Sequence, residues 1–253
     1  MTQKVSLVIP VYNEKLHLKE FLEKIDGFDI GVAKELVIID DCSTDGSHKI
    51  VEDFAFKSEY QYHRQTKNRG KGAALRLGIE KATGSYIGIQ DADFEYDIFD
   101  IPQIVRLLLE DKADVVYGSR FKKSGYQVHR TFHYMVNRFL TILSNFCSGL
   151  YLTDMETCYK FFKAEIIKNI ELESDRFGFE PEVTAKIARL RVKVAEVPIS
   201  YFPRSYMEGK KITWKDGVAA VKHIIFYNLF IPKGKFFTPT LPQQYISKST
   251  QWL

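Results

Sequence analysis

The fold class this sequence predicts is an open, mainly parallel α/β sheet with helices on both faces. Three observations predict it. Apolar strand-like runs alternate with helix-period segments through the first half of the chain. The first run, Val5-Ser6-Leu7-Val8-Ile9-Pro10-Val11, is apolar almost throughout, as in a strand covered on both faces. Polar clusters follow successive strands: Asn13-Glu14 after the first, Asp40-Asp41 after the second and Asp91-Ala92-Asp93 after a central one. Those positions lie at the carboxyl edge, where sheets of this class bind ligands.

The elements follow in order. After the first strand, Leu16, Leu18, Phe21, Leu22 and Ile25 recur at roughly helical spacing, so a helix is expected from about Glu14 to Gly27. Leu36 to Ile39 reads as the second strand, Ser47 to Phe56 as a helix, and Tyr60 to Arg64 as a weaker strand. A helix from Gly72 to Ala82 leads to the central strand Tyr86 to Gln90, then a helix near Ile101 to Glu110 and a short strand at Val115-Val116-Tyr117. The second half differs: an aromatic, basic helical stretch from Arg130 to Leu150, a polar run Asp154 to Lys160, and a short helix before Asn169. A helix from Glu182 to Arg191 and a strand near Val194 to Ile199 follow. Beyond Pro232 the chain is rich in Pro, Gly, Ser, Thr and Gln and is expected to be poorly ordered or partner-bound.

Composition narrows the function classes. With 253 residues, 45% of them hydrophobic, the chain can bury the core of a single large α/β domain. A formal charge of +4 calls for no nucleic-acid partner and is compatible with phosphate-bearing ligands. Cys42, Cys147 and Cys158 lie far apart, which suggests neither disulfides nor a zinc site and fits a reducing, cytoplasmic compartment. The start of the chain lacks the pattern of a signal peptide. The apolar stretch Val218 to Ile231 is interrupted by Lys222, His223 and Asn228 and falls short of the ~20 residues that span a bilayer. The chain is therefore expected not to cross a membrane by itself.

Chemistry concentrates at three places. Asp91, Asp93 and Glu95 crowd one turn, and crowded carboxylates repel unless a cation neutralises them. A solvated acidic turn would show the same triplet, but its position after a central strand favours Mg²⁺ or Mn²⁺, which take hard oxygen ligands and the oxygens of a diphosphate. The loop Asn68-Arg69-Gly70-Lys71-Gly72-Ala73-Ala74 opens a helix, placing Lys71 and backbone N–H groups where phosphate is attracted. A flexible basic loop fits that segment equally well. It is neither a Walker loop nor a dinucleotide fingerprint, since Leu75 stands where a third glycine is expected. His129 and His133 are four apart without the intervening glutamate of a zinc protease, and no GxSxG segment occurs, so hydrolase chemistry finds little support.

Taken together, Ile9-Pro10-Val11-Tyr12-Asn13-Glu14, Ile39-Asp40-Asp41-Cys42-Ser43-Thr44-Asp45-Gly46, Asn68-Arg69-Gly70-Lys71-Gly72 and Gln90-Asp91-Ala92-Asp93 resemble the family 2 glycosyltransferases of the GT-A fold. The ordered set is specific where each motif alone is weak. The branch it resembles is that of the dolichyl- or polyprenyl-phosphate mannosyl- and glucosyltransferases, over residues 1–211, with Gly118-Ser119-Arg120 and the Asp154 to Lys160 run in support. Residues 212–253 then form an amphipathic helix and a polar tail.

The resemblance implies that Pro10, Tyr12, Glu14 and Asp41 hold the nucleoside of a GDP- or UDP-hexose. Asp91 contacts the donor sugar or the metal shell, and Asp93 and Glu95 complete the metal–diphosphate site. The family frequently has glutamine where Glu95 stands. Arg120 and Arg130 match positions that grip the acceptor phosphate, a task suited to bidentate guanidinium groups. An acceptor phosphate is already anionic and attacks the anomeric carbon without a strong base, so inversion in one displacement is expected. A saccharide or other hydroxyl acceptor would instead need a base such as Asp154. A catalytically inactive nucleotide-sugar subunit is a third reading, which the intact carboxylates disfavour.

Members of the branch often carry transmembrane helices after the catalytic domain. Here Val218, Val221, Ile224, Ile225 and Leu229 recur at helical spacing beside Lys215, Lys222 and His223, which suits either a lipid interface or packing on the domain. Peripheral attachment, a membrane partner and a soluble acceptor are all compatible with that segment.

Overall fold

The computed structural model describes residues 3–122, 131–203, 214–231 and 236–246. Its strands are β1 (Lys4–Val11), β2 (Ala33–Asp40), β3 (Glu59–Arg64), β4 (Tyr86–Ile89), β5 (Val115–Ser119), β6 (Lys160–Lys163) and β7 (Val194–Pro198). They form one sheet in the order β3-β2-β1-β4-β6-β5-β7. All neighbours are parallel except β6, which runs antiparallel to both β4 and β5. The open, mainly parallel sheet expected from the sequence is present, with β6 as an unexpected insertion. Lys160-Phe161-Phe162-Lys163 is too short to display a period, and its role appears only in three dimensions: Phe161 joins the core on one face and Phe162 the core on the other.

The helices are α1 (Leu18–Gly27), α2 (Ser47–Glu52), α3 (Lys71–Lys81), α4 (Ile101–Leu109), α5 (Thr131–Ser148), α6 (Ala164–Ile167), α7 (Phe179–Ile187) and α8 (Trp214–Ile225). Two cores sandwich the sheet because strand side chains alternate in direction. Leu7 and Ile9 of β1 pack with α1, α2 and α4, whereas Val8 packs with α3, α6, α7 and α8. Leu7, Val8 and Ile9 are fully buried, and burial of such a side chain contributes about 2 kcal/mol.

Helix α1 starts four residues later than its apolar spacing suggests. Asn13 adopts φ 52°, and the carbonyl of Glu14 accepts from His17 N at 3.1 Å and Leu18 N at 2.9 Å. This turn keeps Tyr12, Asn13 and Glu14 at the carboxyl edge of β1 instead of drawing them into the helix.

The C-terminal part also departs from expectation. In α8 and the π-helical turn Phe226–Phe230, Ala220, Ile224 and Tyr227 are buried against the domain, while Val218, Phe226, Leu229 and Phe230 are exposed. The segment 236–246 is not a loose tail. Phe236, Leu241 and Tyr245 are buried, Phe236 O accepts from Glu171 N at 3.0 Å, and Arg191 N donates to Tyr245 O at 2.8 Å. Buried aromatic anchors outweigh the polar composition that suggested disorder. Phe236→Ala is expected to lower the unfolding free energy by about 3 kcal/mol in urea denaturation, as for other buried aromatics truncated in a core.

Candidate active site

The crevice at the carboxyl edge is assembled from the ends of β1, β2, β4 and β5. The first two ends are laced together. Asn13 N donates to Ser43 Oγ at 3.0 Å, Thr44 N to Asn13 Oδ1 at 2.8 Å, and Glu14 N to Ser47 Oγ at 3.0 Å. Asp40 is structural: it accepts from Ser43 N at 2.8 Å and pairs with Arg64 Nε at 3.2 Å. Asp41 reaches further. Its Oδ1 accepts from Arg69 N at 2.8 Å and Gln65 Nε2 at 2.9 Å, and its Oδ2 accepts from Gly70 N at 2.7 Å. Burial pushes its pKa up, reinforced by Asp40 and opposed by the Arg69 and Gly70 amides. Within the protein, Asp41 therefore holds the loop before α3, a role its expected contact with the nucleoside did not include.

That loop behaves differently from the anion cradle suggested by its sequence. Gly70 has φ 97°, and a Cβ there would lie 2.6 Å from the Asp175 carbonyl oxygen; at Gly72 it would lie 2.2 Å from that of Ser174. The glycines are required because the 174–176 turn packs directly on the start of α3. Gly72 N donates to Arg176 O at 3.2 Å and Ala73 N to Asp175 O at 3.0 Å, so these helix-start amides are already committed and do not receive a phosphate.

Lys71 instead points into the crevice floor. Its Nζ lies 2.8 Å from Asp91 Oδ2, 2.9 Å from Cys158 Sγ and 3.7 Å from Glu180 Oε1. Burial works against its charge, but Asp91 and Glu180 outweigh that cost and hold its pKa well above the usual lysine value. Burial pushes the Cys158 thiol up, so it stays protonated.

The acidic turn after β4 does not gather into one ligand set. Asp91 is paired with Lys71, Glu95 N donates to Asp93 Oδ1 at 3.1 Å, and Glu95 Oε2 accepts from Tyr201 Oη at 3.0 Å. The turn is clamped outward by Phe202 N, which donates to Glu95 O at 2.8 Å, and by a Tyr96–Tyr201 bridge. Among the described residues no three His, Cys, Asp or Glu side chains converge as metal ligands, so the expected trio Asp91, Asp93 and Glu95 is not preassembled. The donor chemistry still fits a hard divalent cation: Asp91 and Asp93 supply carboxylate oxygens on one turn, and such ions take remaining ligands from diphosphate and water.

At the end of β5, Arg120 and Asp154 form a buried pair. Arg120 Nε and Nη2 donate to the two Asp154 oxygens at 2.7 Å each, and Arg120 N adds a third bond at 3.0 Å. The guanidinium also lies 5.1 Å from the Tyr201 ring centre. Two expectations change. Asp154 is not placed as a general base, since both oxygens serve Arg120. Arg120 keeps only Nη1 outside that pair for a ligand. Arg130 and His129 lie outside the described residues.

The family model for glycosyl transferase family 2 matches residues 6–171. The chain belongs to this family. A dolichol-phosphate mannosyltransferase of Pyrococcus furiosus is 28% identical over 210 residues, which cover 82% of this chain and 59% of that protein. An undecaprenyl-phosphate mannosyltransferase of Micrococcus luteus is 29% identical over 216 residues, covering 82% of this chain and 87% of that protein. Among solved structures, glucosyl-3-phosphoglycerate synthase from Mycobacterium tuberculosis, in complex with Mn²⁺, uridine diphosphate and phosphoglyceric acid, superposes with a TM-score of 0.68. It is 16% identical, with 92% of this chain and 81% of that chain covered, and it shares the GT-A fold.

Three site residues of this glycosyltransferase carry no sequence signal of their own: Glu180 at the start of α7, Tyr201 just beyond β7, and Cys158. Each reaches the crevice from more than 20 residues away in sequence from its partner. A buried Arg–carboxylate pair that loses one partner leaves an uncompensated charge. Asp154→Ala is expected to cost about 3 kcal/mol of stability, and adding Arg120→Met to restore most of it, both read by thermal and urea unfolding.

Proposed function

We propose that this glycosyltransferase moves a hexose from a GDP- or UDP-sugar to a polyprenyl phosphate, with inversion at the anomeric carbon. The observation that carries this reading is the commitment of Asp154. A hydroxyl acceptor needs a base to take its proton, and the carboxylate best placed in sequence for that task has both oxygens on Arg120. A phosphate acceptor is anionic beforehand and needs a positive anchor instead, which Arg120 offers through Nη1, with Arg130 from the following segment. The named activities of the Pyrococcus and Micrococcus relatives support the same acceptor class.

On the donor side, Pro10, Tyr12, Glu14 and Asp41 line the nucleoside end of the crevice, and Lys71 fixes Asp91 beside the sugar. Asp93, with Asp91 and Glu95 on the same turn, would hold Mg²⁺ or Mn²⁺, a role supported by the Mn²⁺ and uridine diphosphate of the mycobacterial structure. When bound, the ion supplies Lewis-acid neutralisation of the departing diphosphate. The protein's own contribution is positioning: donor and acceptor are held at the ends of different strands so that attack comes from the face opposite the leaving group. Residues 1–211 form the catalytic domain in this reading, with 212–253 as its C-terminal extension.

A polyprenyl acceptor lies in a lipid surface, and one face of α5 suits contact with it. Met135, Phe139, Ile142 and Phe146 are exposed at spacings of four, three and four residues, so they share one stripe, and α5 contains no acidic residue. Among the described residues, no helix is long and apolar enough to cross a membrane, which makes attachment at the membrane face, directly or through a membrane partner, part of the proposal.

The test is a donor-by-acceptor screen with and without Mn²⁺ or Mg²⁺, read by mass spectrometry of the product. Lipid-phosphate-dependent release of nucleoside diphosphate is expected, and Asp93→Asn is expected to lower turnover by about a hundredfold or more without changing the melting temperature. Full activity of that variant in chelator, or transfer to hydroxyl acceptors only, would overturn the reading.

A further inference from the structure

The segment from Asp154 to Cys158 spans the two ends of the crevice. Asp154 binds Arg120 on the acceptor side, and Cys158 touches Lys71, which holds Asp91 on the donor side. Glu156 is the midpoint. The backbone on either side of it is anchored: Lys160, itself fully buried, donates to Met155 O at 2.8 Å and to Thr157 O, Met155 N donates to Thr141 Oγ1 at 3.1 Å, and Cys158 N to Tyr96 Oη at 3.1 Å.

On this rigid support sits a carboxyl with nothing to bind. Oε1 of Glu156 and the neighbouring Oγ1 of Thr157 are both buried without a hydrogen-bond partner in the protein. A buried polar atom left unmade carries a desolvation penalty, and native proteins rarely leave two side by side unless a ligand completes them.

We propose that Glu156 is a sugar-binding residue, whose carboxyl hydrogen-bonds a hydroxyl of the hexose held between the Lys71–Asp91 and Arg120–Asp154 pairs. The assignment rests on the donor reading given under the proposed function and names the group that recognises the transferred sugar within it. The local charges favour a neutral polyol over an anion. Glu180 from α7 and Asp154 from the same loop face Glu156, while Lys160 of β6 and Arg120 beyond β5 face it with opposite sign. Burial first, then Glu180 and Asp154, push its pKa up to about 8 against the lowering effect of Lys160 and Arg120. Near neutral pH the group therefore keeps its proton. A carboxylic acid both donates and accepts, as a sugar hydroxyl does, whereas a carboxylate only accepts.

The experiment compares equilibrium binding of UDP with UDP-glucose, and of GDP with GDP-mannose, to the full chain in Mn²⁺ between pH 6.5 and 9. Wild-type protein is expected to prefer one sugar nucleotide over its bare nucleotide, with the preference falling as pH rises through about 8, where the donated proton is lost. Glu156→Leu should weaken that sugar nucleotide about tenfold and leave the bare nucleotide unchanged. Glu156→Gln, which keeps a donor and an acceptor but does not titrate, should retain the preference and show no alkaline fall; equal melting temperatures confirm that it folds.

The assignment is overturned if the leucine variant keeps the sugar preference, if it loses bare and sugar nucleotides equally, or if the glutamine variant shows the same alkaline fall as wild type. Wild-type protein without any sugar preference would also overturn it. Discrimination that depends on Glu156, in a protein that glycosylates no polyprenyl phosphate, would remove the acceptor assignment alone and leave this one standing.

Discussion

Compensation of buried charge is the constraint on which the crevice depends. Two cations, Lys71 and Arg120, are drawn out of water and matched to Asp91 and Asp154 at 2.8 Å and 2.7 Å. Such pairs repay their desolvation only when both partners are fixed in register. Lys71 is fixed because the start of α3 is pinned to the 174–176 turn through Gly70 and Gly72, and Arg120 because its own amide also reaches Asp154. The elements that carry these groups, α3, β4, β5, α7 and the 154–158 segment, are consequently tied into one unit, and the floor of the site is set before any ligand arrives.

That constraint also redistributes the demand for a cation. Three carboxylates in five residues look, in sequence, like one acidic ligand set. In the fold, Asp91 is already met by a lysine and Glu95 by the Tyr201 hydroxyl, which leaves Asp93 as the carboxylate with the least compensation named inside the protein. A divalent ion shared with a diphosphate fits this division of labour, since the diphosphate brings the negative oxygens that a preassembled trio would otherwise supply. It also separates the roles on the turn: Asp91 is oriented by the protein, and Asp93 is available to the ligand.

Much of this was legible in the sequence, and the limits have physical causes. Near-continuous apolar runs identified β1 and β2, and helical spacing identified α1, α3 and α4, because burial imposes a period wherever an element is long enough to show one. β6 offered four residues and no period. The strand-end acids were legible for the same reason the strands were. Their partners were not: Tyr201 lies 106 residues from Glu95, and Cys158 lies 87 from Lys71. The basic glycine loop misled in an instructive way, since glycines that permit a phosphate to approach also permit another backbone to do so, and here the 174–176 turn takes that place. In the C-terminal segment, composition described the polar positions correctly and missed that Phe236 and Tyr245 anchor it.

The exposed stripe on α5 and the acceptor end of the crevice are connected through the same helix. From its inner side, Thr141 holds Met155 N, Arg138 Nη1 donates to Thr153 O at 3.1 Å, and Asn145 bonds both the amide and the carbonyl of Leu152. These contacts fix residues 152–155, and that segment in turn fixes Asp154 and, through it, Arg120. Closely packed elements transmit displacement because they have few voids to absorb it. A lipid surface seated against Met135, Phe139, Ile142 and Phe146 would therefore bear on the loop that orients the guanidinium meant for the lipid's own phosphate. Attachment and acceptor placement become two consequences of one helix, whose outer face is apolar and whose inner face is devoted to holding a single loop.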